Sequence, residues 1–380
     1  MKHQFVDQPE DVVRIAQRLA SSRRFYVDTE FESRRGGATT CCLFQVSDGD
    51  TAFIFDTIRL PTLKPLAPAL AAEGAEWVLH AGGNDVPLIL DALDVSSPPL
   101  LFDTQVAWAL LGPEAQVGLA YLEYRLLGVR AGKEHQTADY MRRPLPEAQI
   151  LYAVEDVEHL PVMRQKLGDL LQAEGKNELI WEVSEERCRS RGQSQKTLPI
   201  TMADFRNAWQ LDAGGLAALE FLVNWYNELS EGQRRRVPKP PILLHIARQQ
   251  PKSGRELASM KGIYYRFAEE RGDWLTGRIA KAANEAREDP TRNAEPPPYT
   301  TFESIRADAW LKMARAVVAE MVNIAPELAF PGPLMTELAA VVAESGSKAA
   351  AVDVLTGWRR QWLSQALREY CDLAVPGPAA

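Results

Sequence analysis

Cysteine is scarce: Cys41, Cys42, Cys188 and Cys371 are the only ones in 380 residues. They form no C-x-x-C pair and have no histidine cluster to match, which excludes a zinc site or a disulfide framework as the organising device. A positive excess is missing too. Lys and Arg number 43 against 51 Asp and Glu, a formal net charge of -8, so the chain does not coat nucleic acid by bulk electrostatics. Any polyanion must be held by local basic patches and by metal. No apolar run approaches the length of a membrane span, and the first residues place Asp7 where a signal peptide needs its apolar stretch. A cytoplasmic address with no membrane partner is the expectation.

What is present is an ordinary globular composition, 46% hydrophobic, and enough chain for two or three domains with cores of their own. Residues 9–21 carry Val12, Val13, Ile15, Ala16 and Leu19 at helical spacing. Three strand-like runs follow at residues 24–31, 42–46 and 51–55, with Gly36-Gly37 and Asp48-Gly49-Asp50 as turns. Short turns between consecutive strands predict an antiparallel meander, on which Cys41 and Cys42 point to opposite faces. Beyond a helix near residues 66–72, Trp77-Val78-Leu79-His80 reads as a strand running into Gly82-Gly83 and a helix over about 84–93. Leu100-Leu101-Phe102 is one more short strand, and helices dominate from there to about residue 174. The pattern predicts a mixed-sheet α/β domain over residues 1–184.

Residues 185–199 are polar, with Arg187, Arg189, Arg191 and Lys196, and suit an exposed linker. Helical patterns follow, divided by Asp289-Pro290 and Pro296-Pro297-Pro298 into two small all-α modules at about 200–285 and 300–375.

Asp28 and Glu30 are two apart on a predicted strand, so both carboxylates leave one face of the sheet. Two partly buried acids side by side repel unless a multivalent cation neutralises them, and magnesium is the usual candidate. Asp85 stands in the first turn of a predicted helix, where a carboxylate is locally favourable and can also reach a metal. Tyr152 and Asp156 are four apart, on one helix face. Four carboxylates converging from these elements would make a two-metal phosphodiesterase site, with Tyr152 orienting the attacking water. Each acid taken alone is an ordinary solvated or capping residue, and Tyr152 alone an ordinary packing tyrosine. The ordered set carries the hypothesis.

That set resembles the DEDD superfamily of 3′→5′ exonucleases, and within it the ribonuclease D family. The motifs are Val27-Asp28-Thr29-Glu30-Phe31, Leu79-His80-Ala81-Gly82-Gly83-Asn84-Asp85 and Tyr152-Ala153-Val154-Glu155-Asp156. Between them, Phe102-Asp103-Thr104-Gln105 and the stretch from Lys133 to Leu145 resemble family segments. Leu151 stands where one branch has histidine, and Tyr152 matches the tyrosine branch. Tyr140 stands where the family usually shows tryptophan. The C-terminal modules resemble HRDC domains: the first through Ala208-Trp209, Arg236-Val237-Pro238 and Lys261-Gly262-Ile263, the second through Leu355-Thr356-Gly357-Trp358-Arg359.

The resemblance implies a ribonuclease H-like exonuclease domain followed by two HRDC-type domains. It also implies two divalent cations, magnesium or manganese, held by Asp28, Glu30, Asp85 and Asp156. RNA 3′ ends are the implied partner, with precursor transfer RNA the implied substrate and nucleoside 5′-monophosphates the products. Phe31, His80 and Gln105 are expected at the substrate, with Arg34 and Arg143 on phosphates. Arg234-Arg235-Arg236 with Lys239 offers further phosphate contacts, although charge runs are usually solvated faces. The alternatives are the same chemistry on DNA, since recognition of the 2′-hydroxyl depends on pocket shape, and an RNA-binding scaffold without catalysis.

Overall fold

The computed structural model describes residues 1–33, 39–130, 139–194, 199–234, 236–288, 301–345 and 347–372. Six strands form one mixed sheet: Lys2–Val6 (β1), Arg24–Ser33 (β2), Thr39–Ser47 (β3), Thr51–Asp56 (β4), Glu76–Leu79 (β5) and Leu100–Asp103 (β6). Their order is β1-β4-β3-β2-β5-β6. The predicted meander is there, with β2–β3 and β3–β4 antiparallel, while β2–β5, β5–β6 and β1–β4 are parallel. At the β3–β4 turn, Asp48 Oδ1 accepts from the backbone N–H groups of Asp50 and Thr51, and Gly49 takes φ +99°, a conformation that favours glycine. The edge strand β1 has no sequence alternation to announce it. It exists because its backbone pairs with β4, placing Phe5 beside Ile54.

Alternation along the strands sends Val27, Phe44, Val46, Phe53, Phe55 and Trp77 to one face, against Val12, Ile15 and Leu19 of the Pro9–Leu19 helix and Ile89 of the Asp85–Leu93 helix. Tyr26, Leu43, Ile54, Val78 and Phe102 take the other face, under helices Thr104–Ala109, Glu147–Glu158 and Leu160–Ala173. Covering both faces removes the meander's apolar surface from water.

The described residues divide into two compact units, one drawn from Met1–Ser33, Thr39–Gln195 and Thr301–Ala380, the other from Lys196–Thr300. The second has its own core around Leu219, Leu222, Leu243, Ile246, Leu275 and Ile279. Its helices start where the sequence provides caps: Asp212 accepts from Gly215 N, and Ser253 from Glu256 N.

Two boundaries differ from the sequence reading. The segment 185–199 is not a free linker: its described part continues the helix Leu179–Ser194, and Cys188 is buried. Nor do the helices of residues 301–372 close on themselves alone. Val318, Phe330, Trp358 and Leu363 join the same core cluster as Phe102 and Met163. Polar ties reinforce that shared core. Trp358 Nε1 donates to Glu186 Oε2 at 2.7 Å, and Arg359 Nη1 donates to both oxygens of Glu186 at 2.8 and 2.9 Å. Of the polar residues in that segment, Glu186 pairs across this seam, while Arg189 pairs within its own helix with Glu185.

Lys176 makes the point most sharply. It is 3% exposed, and its ammonium donates to the carbonyls of Leu110 (2.7 Å) and Asn323 (2.8 Å) and to Glu174 (2.7 Å). Three donors meet three acceptors, so a group that is costly to bury is fully satisfied. Lys176→Met keeps the chain's bulk but orphans the acceptors. It should lower the unfolding free energy by about 2–4 kcal/mol, read as a lower denaturation midpoint in urea; a midpoint equal to wild type would show that the tie holds nothing together.

Candidate active site

The site forms where β2 outruns its neighbour. The parallel pairing of β2 with β5 ends at Tyr26–Val78, so Asp28 and Glu30 lie just beyond the carboxyl end of β5, where open α/β sheets leave a crevice. Both point to the helix-covered face, with Gln45 directly opposite Asp28 and Leu43 opposite Glu30. After Glu30 the β2–β3 register slips, because Cys42 is an extra residue between the partners Leu43 and Cys41. Such a bulge bends the strand and re-aims what it carries.

Asp85 arrives from the other side of the crevice. It opens the helix Asp85–Leu93, and its Oδ1 accepts a 2.5 Å hydrogen bond from the Thr29 hydroxyl. The turn leading into that helix is pinned by Asp103, which accepts from Ala81 N at 2.9 Å and Gly82 N at 3.1 Å while capping the Thr104–Ala109 helix through Gln105 N. Ala81 is held at φ +55°, a strained conformation for a residue with a Cβ. Tyr152 and Asp156 come from the Glu147–Glu158 helix, which packs over β2, β3 and β4.

Burial raises each of these groups, and nearby acids add to the shifts. Burial pushes the Asp28 carboxyl well above its ordinary range, and Asp85, Asp156 and Glu30 add to the shift. Asp156 is likewise raised, by burial and then by Glu30. Glu30 rises to about 7, mainly through burial. Asp85 rises to about 6, burial outweighing the hydrogen bond from Thr29. Burial and Asp156 also raise the Tyr152 phenol.

The donor set suits hard divalent cations. Among the described residues, none of the four carboxylates is ion-paired to a basic side chain, and carboxylate oxygens are what magnesium and manganese prefer. Two buried polar groups nearby are also under-satisfied among the described residues. Gln45, 0% exposed and opposite Asp28, leaves both amide atoms without a hydrogen bond. The Tyr140 hydroxyl lies close enough to Glu30 to favour its charged form, yet makes no formed hydrogen bond. Unpaired buried groups of this kind need water or a ligand. Among the described residues no three acids already converge as one metal cage, and like charges draw together only around a cation.

The remaining site expectations fare differently. Phe31 is half-buried just past the bulge, and Arg34 lies outside the described residues. Arg143 is not a phosphate contact. Its guanidinium grips the buried Asp56 through two bonds of 2.6 Å and donates to the carbonyls of Tyr140, Arg142 and Cys42. Five N–H groups meet five acceptors, and none remains for substrate. His80 and Gln105 also face inward. His80 Nε2 (3.0 Å) and Gln105 Nε2 (2.8 Å) both reach the Val117 carbonyl, and His80 Nδ1 is 2.9 Å from the Thr104 hydroxyl. Both hold the loop at Val117 in place. Burial also holds the His80 imidazole below its usual pKa.

A family model described as a 3′–5′ exonuclease matches residues 3–172. The ribonuclease D of Granulibacter bethesdensis is 30% identical over 371 residues, covering 95% of this chain and 90% of that protein. That of Gluconacetobacter diazotrophicus is 31% identical over 361 residues, covering 92% and 88%. This chain belongs to the ribonuclease D family. Its fold agrees: the crystal structure of Escherichia coli RNase D, described as an exoribonuclease involved in structured RNA processing, matches with a TM-score of 0.74 at 24% identity. That match covers 97% of this chain and 98% of that one. Ribonuclease D enzymes are 3′→5′ exoribonucleases, and so is this member. Exonucleases of this class use divalent metal ions.

Sequence reasoning missed Asp103 and Gln45 in this ribonuclease D site. The signal for Asp103 was there, an acid directly before a helix that begins Thr104-Gln105. Gln45 had none, because its importance comes from the β2–β3 register alone.

The raised carboxyls set the pH response of the metal-free protein. Glu30 ordinarily titrates near 4.5 and here near 7, so the folded state takes up protons that the unfolded chain does not. Stability should therefore rise as pH falls from about 7 towards about 4.5. In EDTA the melting temperature should be higher at about pH 6 than at about pH 8, and Glu30→Gln should raise the value at the higher pH and flatten the trend. An unchanged slope in that variant would remove Glu30 from the cluster.

Proposed function

We propose that this exoribonuclease uses Asp28, Glu30, Asp85 and Asp156 to hold two divalent cations, magnesium or manganese, and releases nucleoside 5′-monophosphates from the 3′ ends of structured RNA. Precursor transfer RNA is the proposed substrate and the cytoplasm the proposed site of action; no helix among the described residues is long and apolar enough to cross a membrane. The observation that carries the reading is that burial raises all four carboxyls, with neighbouring site acids adding to Asp28, Glu30 and Asp156, while none of the four has a basic partner among the described residues. When bound, the cations supply an activated water and charge stabilisation at the scissile phosphate.

The chain's own groups do the rest. Asp28 and Glu30, fixed on a central strand, set the spacing of the ligands, and Thr29 holds Asp85 towards them. Tyr152, whose phenol is pushed above its usual range, stays protonated at neutral pH. It therefore acts as a hydrogen-bond donor and acceptor that orients the attacking water, not as a base.

Asp28→Asn or Asp156→Asn should lower turnover on 3′-labelled RNA by several orders of magnitude with the fold intact by circular dichroism. Tyr152→Phe should cost about 100-fold and leave cation binding unchanged. Near-normal turnover by either aspartate variant in excess magnesium would sink the site, and matched DNA cut as fast as RNA would sink the substrate class.

A further inference from the structure

The second unit carries an open aromatic surface of its own. A groove of about 780 Å³ opens between its helices, lined among others by Trp225, Trp274, Tyr264, Arg236, Arg266 and Arg271. The aromatics are mutually braced: Trp274 packs against Trp225 and Phe221, each pair 6.4 Å between ring centroids, and Trp225 against Phe267 at 6.1 Å. Yet Trp274 remains 45% exposed and Tyr264 49%. The unit's own core, with Leu219, Leu222, Leu243 and Leu275 all 0% exposed, takes in Phe267 and backs Trp225 and Phe221, while Trp274 and Tyr264 are not among its buried members. Rings rigidly held with open faces are a costly use of apolar surface unless something covers them.

The charge around the rings narrows what covers them. Three arginines line the groove against one acid, Glu270, which is itself paired with Arg266 at 2.8 Å. On a chain of net charge -8, that is a local positive site. The arginine run enters it differently from the sequence expectation. Arg234 turns inward, donating to the carbonyls of Tyr226 (3.1 Å) and Asn227 (2.9 Å) at the end of the Ala213–Glu228 helix. Arg236 is exposed and lines the groove, while Arg235 lies outside the described residues.

We propose that this groove binds a single-stranded stretch of RNA by its bases, stacking them on Trp274 and Tyr264 while Arg236 and Arg271 take the phosphates on either side. The inference rests on the ribonuclease reading above, and it assigns to the second unit a grip on unpaired nucleotides rather than on duplex backbone. Flat aromatic faces with interleaved arginines are the usual means of holding single strands without sequence preference. A protein partner would also cover aromatics, but the excess of arginine favours a polyanion.

The test uses the full chain carrying Asp28→Asn, so that substrate persists, and two labelled single strands of equal length, one oligoadenylate and one abasic. The abasic strand keeps every phosphate and lacks the faces that stack. Oligoadenylate should bind the tighter of the two, and replacing both Trp274 and Tyr264 by alanine should weaken it about 10-fold or more, since each lost stack costs roughly 1–3 kcal/mol. The abasic strand should be unaffected. Arg236→Gln with Arg271→Gln should weaken both strands alike and reduce the salt slope by about 1.4. If the alanine pair disturbs the fold, the milder Trp274→Leu serves, with the same contrast between the strands expected. Equal binding of the two strands, or an aromatic variant with wild-type affinity for oligoadenylate, overturns the proposal and leaves a protein as the groove's occupant. Cleavage of 3′-labelled RNA by the unsubstituted chain, run alongside, reports separately on the nuclease reading.

Discussion

Burial of Asp28, Glu30, Asp85 and Asp156, each beside other acids, is the constraint on which the site of the first unit depends. Left to themselves, four partly buried carboxylates would turn to solvent or take up protons. Here each is fixed by something rigid. A central strand holds the first two, a hydrogen bond from Thr29 holds the third, and a helix packed across β2, β3 and β4 holds the fourth. The next layer holds those supports in turn. Asp103 pins the strained turn before Asp85, and the Arg143–Asp56 pair ties the segment bearing Tyr140 to the end of β4. Preorganisation of this kind is what a site needs if it is to bind cations without rearranging its backbone.

How much of this was legible depended on whether the information was local. Asp28 and Glu30 could be placed on one face because strand periodicity is a property of a few neighbouring residues, and the helical spacing of Tyr152 and Asp156 is local in the same way. Arg143, His80 and Gln105 misled for the opposite reason. Their partners are Asp56, Thr104 and Val117, separated from them in sequence, and nothing nearby distinguishes an arginine gripping a buried aspartate from one awaiting a phosphate. Gln45 becomes a neighbour of Asp28 only through pairing across β2 and β3. Strand β1 was invisible because its sequence lacks alternation and its order comes from pairing with β4.

The helical half of the chain shows the same limit at larger scale. Proline clusters suggested a division between two groups of helices, but composition could not show that residues 301–372 share a core with the sheet domain while residues 199–288 have their own. Polar side chains at Lys176, Glu186 and Arg359 read as surface when counted singly. Together they form a seam of matched donors and acceptors, and that matching makes the burial of Lys176 and the partial burial of Arg359 tolerable.

The central claim is that raised carboxylates in one crevice exist to take divalent cations. Cations can bind only by displacing the protons that those carboxyls retain near pH 6.5, so binding must release protons. Titrating manganese into the metal-free protein by calorimetry, in two buffers of different ionisation enthalpy, measures that release directly. The expected result is about two cations bound per chain, with a binding heat that depends on the buffer at about pH 6.5, where Glu30 retains a proton, and depends on it less as pH rises. In the Asp28→Asn variant both the stoichiometry and the proton release should fall. Binding heat that is the same in both buffers at the lower pH, or full stoichiometry without Asp28, would contradict the assignment of these four residues as the metal site.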